Sequence, residues 1–198
     1  MQKCIENLEK NGFSVVVVEN AKEALEYAKT RIVDGLSIGL GGSTTVAQIG
    51  LLEYLASLKN ITLYNQYEKG IDKDENIKRR RMGLISDLYI TGSNAITEDG
   101  ELVNVDGSGN RVAAQIFGPK SVLLFVGQNK IVKDFEAAKK RLWDIAIPKN
   151  AERSNKVATT HKKERHFTPE NISNKFSYIN HDDEGRTTIV LIKEDLGF

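Results

Sequence analysis

Short apolar runs alternate along this chain with segments of helical periodicity, and this alternation restricts the fold more than any other feature of the sequence. The apolar runs occupy residues 13–18, 36–40, 61–64, 88–91 and 121–126. Strands that alternate with helices form mostly parallel sheets flanked by helices. The sequence therefore predicts an α/β fold around such a sheet. Because the first run holds four consecutive valines, we expect its strand to be covered on both faces.

The segments between these runs show the spacing of amphipathic or capped helices. Helices are predicted at residues 1–11, 21–31, 46–58, 72–86 and 132–145. Residues 148–186 are polar and have no sustained period. A segment of this length is usually functional, a partner contact or disordered. Residues 187–193 are again largely apolar and predict a strand that returns to the sheet.

Length and charge limit the classes of protein. The 198 residues fit one domain, residues 1–198, since a domain usually holds about 100 to 200 residues. The 28 Lys and Arg residues nearly balance the 27 Asp and Glu residues, and no run reaches the roughly 18 apolar residues of a membrane span. The single cysteine, Cys4, suits a reducing compartment. We therefore expect a cytoplasmic protein with no metal or iron–sulfur site and no nucleic-acid or membrane partner.

The strongest local motif is the glycine-rich turn GLGGSTT at residues 39–45. Glycines let the backbone approach a ligand closely, and free N–H groups at the start of a helix attract anions. The turn lacks the lysine of a Walker A loop and the third glycine of a dinucleotide fingerprint. Gly41, Gly42, Ser43 and Thr44 are predicted to bind a small anion. The alternative is a tight turn in which Ser43 or Thr44 only caps the following helix.

Two later turns supply further candidates. Residues 91–100 begin where an apolar run ends, and open α/β sheets bind ligands outside the carboxyl ends of their strands. Asn94 and Glu98 are predicted to face the same cleft, with Glu98 as an acid, base or nucleophile. The alternative for Glu98 is a surface turn that faces water. In the third turn, Asn110 opens a short helix, and Asn110 and Arg111 are predicted to line the same cleft and bind the anion. Arg111 could hold a carboxylate or phosphate there, and the alternative is a solvated arginine.

Other reactive residues have simpler interpretations. The basic run at residues 78–81 wraps around its helix, so we interpret it as a solvated helix end. His161, His166 and His181 match no metal-site spacing and are expected to be exposed. Cys4 is expected to be a small buried side chain on the first helix.

The stretches IGLGGSTTVAQIGLLEYL and DLYITGSNAITEDGELVNVDGSGNRVAAQIFGPKSVLLFVGQNKIVKDFEAA closely resemble the lactate-utilisation (LUD) domain family, formerly a domain of unknown function. The resemblance covers about residues 1–150 and returns at the final LIKEDLGF. It implies the three-layer α/β fold of glucosamine-6-phosphate deaminase, ribose-5-phosphate isomerase and CoA-transferases. In those relatives a loop similar to GLGGST holds phosphate. The TEDG turn is similar to the turn that supplies the CoA-transferase nucleophile, which implies that role for Glu98.

The chain departs from the family pattern at one place. Single-domain members commonly carry a cysteine-rich stretch after a PxNA segment. Here PKNA stands at residues 148–151, but residues 152–186 contain no cysteine. We therefore expect no metal or redox role there, and we interpret residues 148–186 as a degenerate remnant or a contact with a dimer partner.

Two functions of different classes follow. In the first, the protein is an enzyme with CoA-transferase-like or phosphosugar isomerase-like chemistry, in which Arg111 pairs with an anionic ligand and Glu98 attacks it or moves a proton. In the second, it is a non-catalytic accessory subunit or ligand sensor of a lactate-oxidising system. The fold relatives also suggest a homodimer. An enzyme would hold Glu98 partly buried beside the ligand, whereas a sensor would leave it in solvent.

Overall fold

The computed structural model describes residues 1–160 and 166–198. Its helices are α1 (Gln2–Lys10), α2 (Ala21–Arg31), α3 (Thr44–Gln48), α4 (Leu51–Ser57), α5 (Lys73–Gly83), α6 (Asn110–Ile116), α7 (Phe135–Arg141), α8 (Ile147–Thr160) and α9 (Pro169–Ile172). Its strands are β1 (Ser14–Val18), β2 (Ser37–Leu40), β3 (Thr62–Tyr64), β4 (Leu88–Thr91), β5 (Ala95–Thr97), β6 (Leu102–Asp106), β7 (Ser121–Gly127), β8 (Ile131–Val132), β9 (Lys175–Ile179) and β10 (Thr187–Ile192). Across these residues, no helix has the length and apolarity needed to cross a membrane.

Six strands form a central sheet in the order β1-β10-β7-β4-β2-β3, and every neighbouring pair is parallel. This sheet, flanked by helices, confirms the predicted three-layer α/β fold. Strand β10 returns to the sheet, as predicted, and it lies between β1 and β7. A second sheet, in the order β8-β5-β6-β9, is mixed, because β6 is antiparallel to both β5 and β9. The sequence did not predict this second sheet.

The two faces of the central sheet bury separate cores, since side chains alternate along each strand. On β7, Leu123 and Phe125 pack with residues of α2, α3 and α4. Val122 and Leu124 point the other way, toward α1, α6 and the second sheet. The outer face of the second sheet is covered by α7, α8, α9 and the turn between α7 and α8, through Ala138, Leu142, Ile147, Ala151 and Ile172.

The valine-rich strand β1 is at the edge of the central sheet and pairs only with β10. Val15 and Val16 are half-buried on opposite faces, and Val17 is 38% exposed. The prediction of a strand covered on both faces is therefore wrong in its extent. Four valines in a row show that a strand forms, but they do not show whether it is central or peripheral.

The helix predicted at residues 46–58 is two helices, α3 and α4, which meet at Gly50. Gly50 has φ +76°, a left-handed conformation that interrupts a right-handed helix and that glycine adopts without a Cβ clash. The break leaves α3 only five residues long.

Residues 148–186 contain more regular structure than the sequence predicts. Helix α8 continues to Thr160, and β9 adds an edge strand to the second sheet. A π-helical turn at Leu142–Ala146 ends two residues before Pro148. In an uninterrupted α-helix, the Pro148 ring would clash with the Asp144 carbonyl. The wider turn lets the helix pass this proline, so the helical region continues beyond residue 145, where the predicted helix ends.

Candidate functional site

The carboxyl ends of β2 and β4 bring two of the predicted turns together. Gly41 follows β2, and its N–H donates to the Ile90 carbonyl of β4 at 2.9 Å. A Cβ atom placed on Gly41 would lie 2.4 Å from Thr91 Oγ1, and one placed on Gly92 would lie 2.7 Å from Ser43 Oγ. Both distances are too short for real Cβ contacts. The two glycines therefore allow the turns to touch.

The hydroxyl groups of Ser43 and Thr44 differ in their partners. Ser43 is the N-cap of α3, and its Oγ accepts a hydrogen bond from the Val46 N–H at 3.2 Å. This is the capping role that the sequence left open as an alternative. Thr44 Oγ1 is buried without a hydrogen-bond partner among the described residues, and the same holds for Thr91 Oγ1. Two unsatisfied hydroxyl groups thus belong to the turns that meet here.

Arg111 lies near the start of α6, only 6% exposed, and all five of its N–H donors find acceptors in the protein. The acceptors are Asp106 Oδ1, the Gly92 carbonyl, Asn104 Oδ1, Asn94 Oδ1 and the Val105 carbonyl, at 2.6 to 3.0 Å. The guanidinium group therefore ties β6 to the turn after β4. The ligand contact that the sequence predicts for Arg111 would require one of these bonds to break.

Asn94 is also occupied in part. Its Oδ1 accepts from Arg111 Nη2 at 2.6 Å and from the Val105 N–H at 3.0 Å. Only its Nδ2 group remains for the ligand contact that the sequence predicts. The main role of Asn94 in this structure is to position Arg111 and the turn.

Two tyrosine hydroxyl groups lie near Asn110 and the glycine-rich turn. Asn110, the first residue of α6 as predicted, donates from Nδ2 to the Tyr89 hydroxyl at 3.4 Å. A Cβ atom placed on Gly42 would lie 3.1 Å from the Tyr67 hydroxyl, which accepts from Gln66 Nε2 at the same distance. The whole Tyr67 residue is 45% exposed, but protein surrounds its hydroxyl end. Burial raises the pKa of Tyr67 and of Tyr89, so both remain protonated donors at neutral pH.

Two arginines add positive charge beside these hydroxyl groups. Arg80 donates from Nη1 to Ser108 Oγ at 2.9 Å, and its buried Nε has no partner among the described residues. Arg153 donates to Asn150 Oδ1 at 2.7 Å, and its Nη2 lies 3.6 Å from the Cβ position of Gly42. The basic run at 78–81 is therefore not a uniformly solvated helix end, because Arg80 turns inward.

Glu98 lies at the far end of β5 from the touching turns. Its carboxylate is 40% exposed and lies 3.8 Å from Lys3 Nζ of α1. Its carbonyl accepts from Asn7 Nδ2 at 2.8 Å. Glu98 lies four residues after Asn94 along extended chain, a span of roughly 13 Å. The structure thus places Glu98 against α1 at the surface and does not bring it to the other predicted site residues.

Sequence reasoning missed two buried cations near these turns, Lys130 and Arg141, which are 3% and 6% exposed. Lys130 comes three residues after the carboxyl end of β7. Ligands in open α/β sheets bind outside the carboxyl ends of the strands. This principle pointed to the turns after β2 and β4, and it points to Lys130 as well. Arg141 ends a basic run in α7 and carries no signal that separates it from its exposed neighbours.

The remaining candidates lie elsewhere. Cys4 is buried, and His166 and His181 are exposed, while His161 lies outside the described residues. Within residues 1–160 and 166–198, no three His, Cys, Asp or Glu side chains cluster in a way that could hold a metal ion. Two surface grooves, one along α5 and one between α1 and residues 181–184, contain none of the predicted site residues.

Comparisons with known proteins agree with the fold. A family model described as the LUD domain matches residues 1–192. Among solved structures, the chain is similar to a DUF162 family protein from Deinococcus radiodurans, with 12% identity and a TM-score of 0.54 over 96% of this chain and 94% of that chain. It is also similar to eIF2B beta from Chaetomium thermophilum, with 13% identity and a TM-score of 0.40 over 59% of this chain and 44% of that chain. No curated protein matches the sequence. Because the family model spans nearly the whole sequence, the chain belongs to the LUD domain family.

Proposed function

We propose that this LUD-domain protein serves lactate or related organic-acid utilisation by binding a small anionic ligand where the turns at residues 41–44 and 91–94 meet. The contact between Ser43 and Gly92 carries the proposal. It joins two loops that are distant in sequence at the carboxyl edge of a parallel sheet, which is the usual ligand position in open α/β folds.

The unpartnered hydroxyl groups support this position for the ligand. Thr44 Oγ1 and Thr91 Oγ1 are buried without partners, and Arg80 Nε is a third such atom. A buried polar group that lacks a hydrogen bond costs about 1 to 3 kcal/mol. An anionic ligand supplies oxygen acceptors for these donors, so binding would remove an unfavourable term of the free protein.

The exposure of Glu98 favours the non-catalytic candidate function, an accessory subunit or ligand sensor, over an enzyme that uses this carboxylate. A nucleophile or general base must reach the ligand within hydrogen-bond distance. Glu98 instead lies beside Lys3 on the surface. In the sensor interpretation, the turns bind the ligand and none of the described site residues attacks it.

Removal of the two unpartnered hydroxyl groups tests the proposal. A thermal-shift panel of phosphosugars, acyl-CoAs and hydroxy acids first identifies the anion that raises the melting temperature most, since a ligand that binds only the native state stabilises it. Thr44→Val and Thr91→Val should each weaken that ligand roughly fivefold, the equivalent of one hydrogen bond of about 1 kcal/mol. Thr30→Val is the matched control, because Thr30 lies on α2 and bonds the Tyr27 carbonyl.

These variants, together with Glu98→Gln, separate the outcomes. Equal ligand shifts in wild type, Thr44→Val and Thr91→Val would show that the ligand does not bind at these turns. Glu98→Gln should leave the shift unchanged. A ligand whose turnover is lost in Glu98→Gln would instead favour the enzyme.

A further inference from the structure

Lys130 is a primary amine buried beside the glycine-rich turn. It is 3% exposed, and its Nζ donates to Thr45 Oγ1 of α3 at 2.8 Å. Gly197 packs over it, since a Cβ atom placed there would lie 2.8 Å from Lys130 Nζ. The amine therefore lies inside the protein and contacts Thr45, the residue that follows Thr44.

No carboxylate compensates this charge among the described residues. The single described bond of Lys130 Nζ is the one to Thr45. The two acidic residues of the neighbouring tail are engaged elsewhere. Glu194 accepts from the Ala21 N–H at 2.9 Å, and Asp195 accepts from Gln128 Nε2 at 3.2 Å.

A second buried cation lies close to Lys130 and likewise has no carboxylate partner within residues 1–160 and 166–198. Arg141 donates to the Asn129 carbonyl at 3.2 Å and to the Asn94 carbonyl at 2.8 Å. Both Arg141 and Arg111 act on the Lys130 amine through their charge. Arg111 has its own partner, Asp106, at 2.8 Å. Among the described residues, these three buried side chains share one carboxylate, which leaves Arg141, and Lys130 in its ammonium form, without a counterion.

An uncompensated buried charge is strongly unfavourable unless something pairs with it. We propose that Lys130 and Arg141 form a subsite for the phosphate group of a phosphorylated ligand. The inference rests on the proposed function, because it places the ligand at the same turns, and it deepens it by naming the anion. A phosphate monoester carries about 1.5 to 2 negative charges at neutral pH, enough to pair with Arg141 and with Lys130 in its ammonium form. A hydroxy-acid carboxylate carries one and would leave a cation unpaired.

The titration of Lys130 gives this subsite a signature. Burial lowers the pKa of Lys130 to about 7, and the positive charges of Arg141 and Arg111 act in the same direction. A bound dianion opposes both effects and favours the ammonium form. At pH 8 the free protein holds mostly neutral amine, so phosphate binding should take up a proton at Lys130.

The test compares Lys130→Met with wild type. The probes are inorganic phosphate, glycerol phosphate and sodium lactate at matched ionic strength, measured by thermal shift and calorimetry. Both phosphate probes should bind wild type, and Lys130→Met should weaken them at least tenfold. Methionine has a similar length and no charge, so the unliganded variant should fold at least as well as wild type. Lys120→Met is the control, because Lys120 directly precedes β7, at the end of the strand opposite to Lys130, and its side chain is 80% exposed.

Calorimetry at pH 8 in buffers of different ionisation enthalpy measures the proton. Wild type should take up a substantial fraction of one proton per phosphate, and Lys130→Met should take up clearly less. Wild-type phosphate affinity in Lys130→Met would overturn the inference. Lactate binding that depends on Lys130 as strongly as phosphate binding would also overturn it. If lactate binds and depends only on Thr44 and Thr91, the proposed function stands and this subsite fails.

Discussion

At the scale of single residues, Arg111 and Lys130 show two different ways to bury a positive charge. Arg111 satisfies every N–H donor and has a carboxylate partner, Asp106. Lys130 has one hydrogen bond and no carboxylate within the described part of the chain. A satisfied buried ion pair holds loops in place, and its loss disrupts them. Arg111→Ala would therefore report on folding, whereas Lys130 can be changed to test ligand binding.

The pH dependence of stability follows from the Lys130 pKa. In the unfolded chain lysine titrates near 10.5, and in the folded protein near 7. Between these values the unfolded state binds one more proton, so wild-type stability contains a term that rises with pH by up to about 1.4 kcal/mol per unit. Relative to Lys130→Met, wild type should thus gain roughly 2 kcal/mol between pH 7 and pH 9. Urea denaturation of both proteins at the two pH values measures the difference, and a constant difference would contradict a buried titrating amine.

The sequence predicts positions along the chain better than it predicts what surrounds them. The turns at residues 41–44 and 91–94 were predicted to meet from strand ends alone, and they do touch. The partners of Arg111 could not be predicted, because the carbonyl of Gly92 and the side chain of Asn104 reach it only in the folded protein. A local pattern contains no information about which acceptors will surround a donor.

At the scale of elements, the prediction was good for long periodic segments and poor for short ones. The central strands and most helices follow from runs of apolar residues, which bury a whole face. Strand β8 has only two residues, and β9 is a polar edge strand whose exposed aromatic residues, Phe176 and Tyr178, do not face the core. Alternation over so few residues cannot be separated from a loop.

Helix α5 crosses the central sheet at a place where only glycine fits. A Cβ atom on Gly39 of β2 would lie 2.6 Å from Tyr89 Cδ2 and 2.7 Å from the Gly83 Cα of α5. Because the second of these is backbone, Gly39→Ala must push the helix away from the sheet. Such overpacking usually costs about 1 to 3 kcal/mol. The loss should appear as a lower urea midpoint.

Gly83→Ala is the matched comparison for Gly39→Ala. Its added Cβ would meet Tyr89 Cε2 at 3.2 Å, a contact that a small ring shift relieves. Alanine also favours the helical state by roughly 1 kcal/mol relative to glycine. Gly83→Ala should therefore be much less destabilising than Gly39→Ala. Equal losses would mean that the close approach does not fix the position of α5.

At the scale of the whole molecule, the two sheets share a core. Val122 and Leu124 of the central sheet pack in the same cluster as Ile96 and Leu102 of the second sheet. Cys4 of α1 belongs to this cluster and is fully buried. Separation of the sheets would expose all of these apolar side chains to water, which is strongly unfavourable. The chain should therefore unfold as one unit, as expected for a single domain.

Two natural probes on the two layers test this cooperativity. Trp143, the only tryptophan, has its ring centroid 6.2 Å from that of Phe176 on β9 and so reports on the second sheet. Cys4 reports on the α1 layer, and burial raises the pKa of its thiol to about 11, which suppresses labelling in the folded protein. Tryptophan fluorescence and Cys4 labelling should show the same urea midpoint. An earlier transition at Trp143 would mean that the second sheet detaches first, and residues 148–186 would then behave as a separable arm instead of part of the domain.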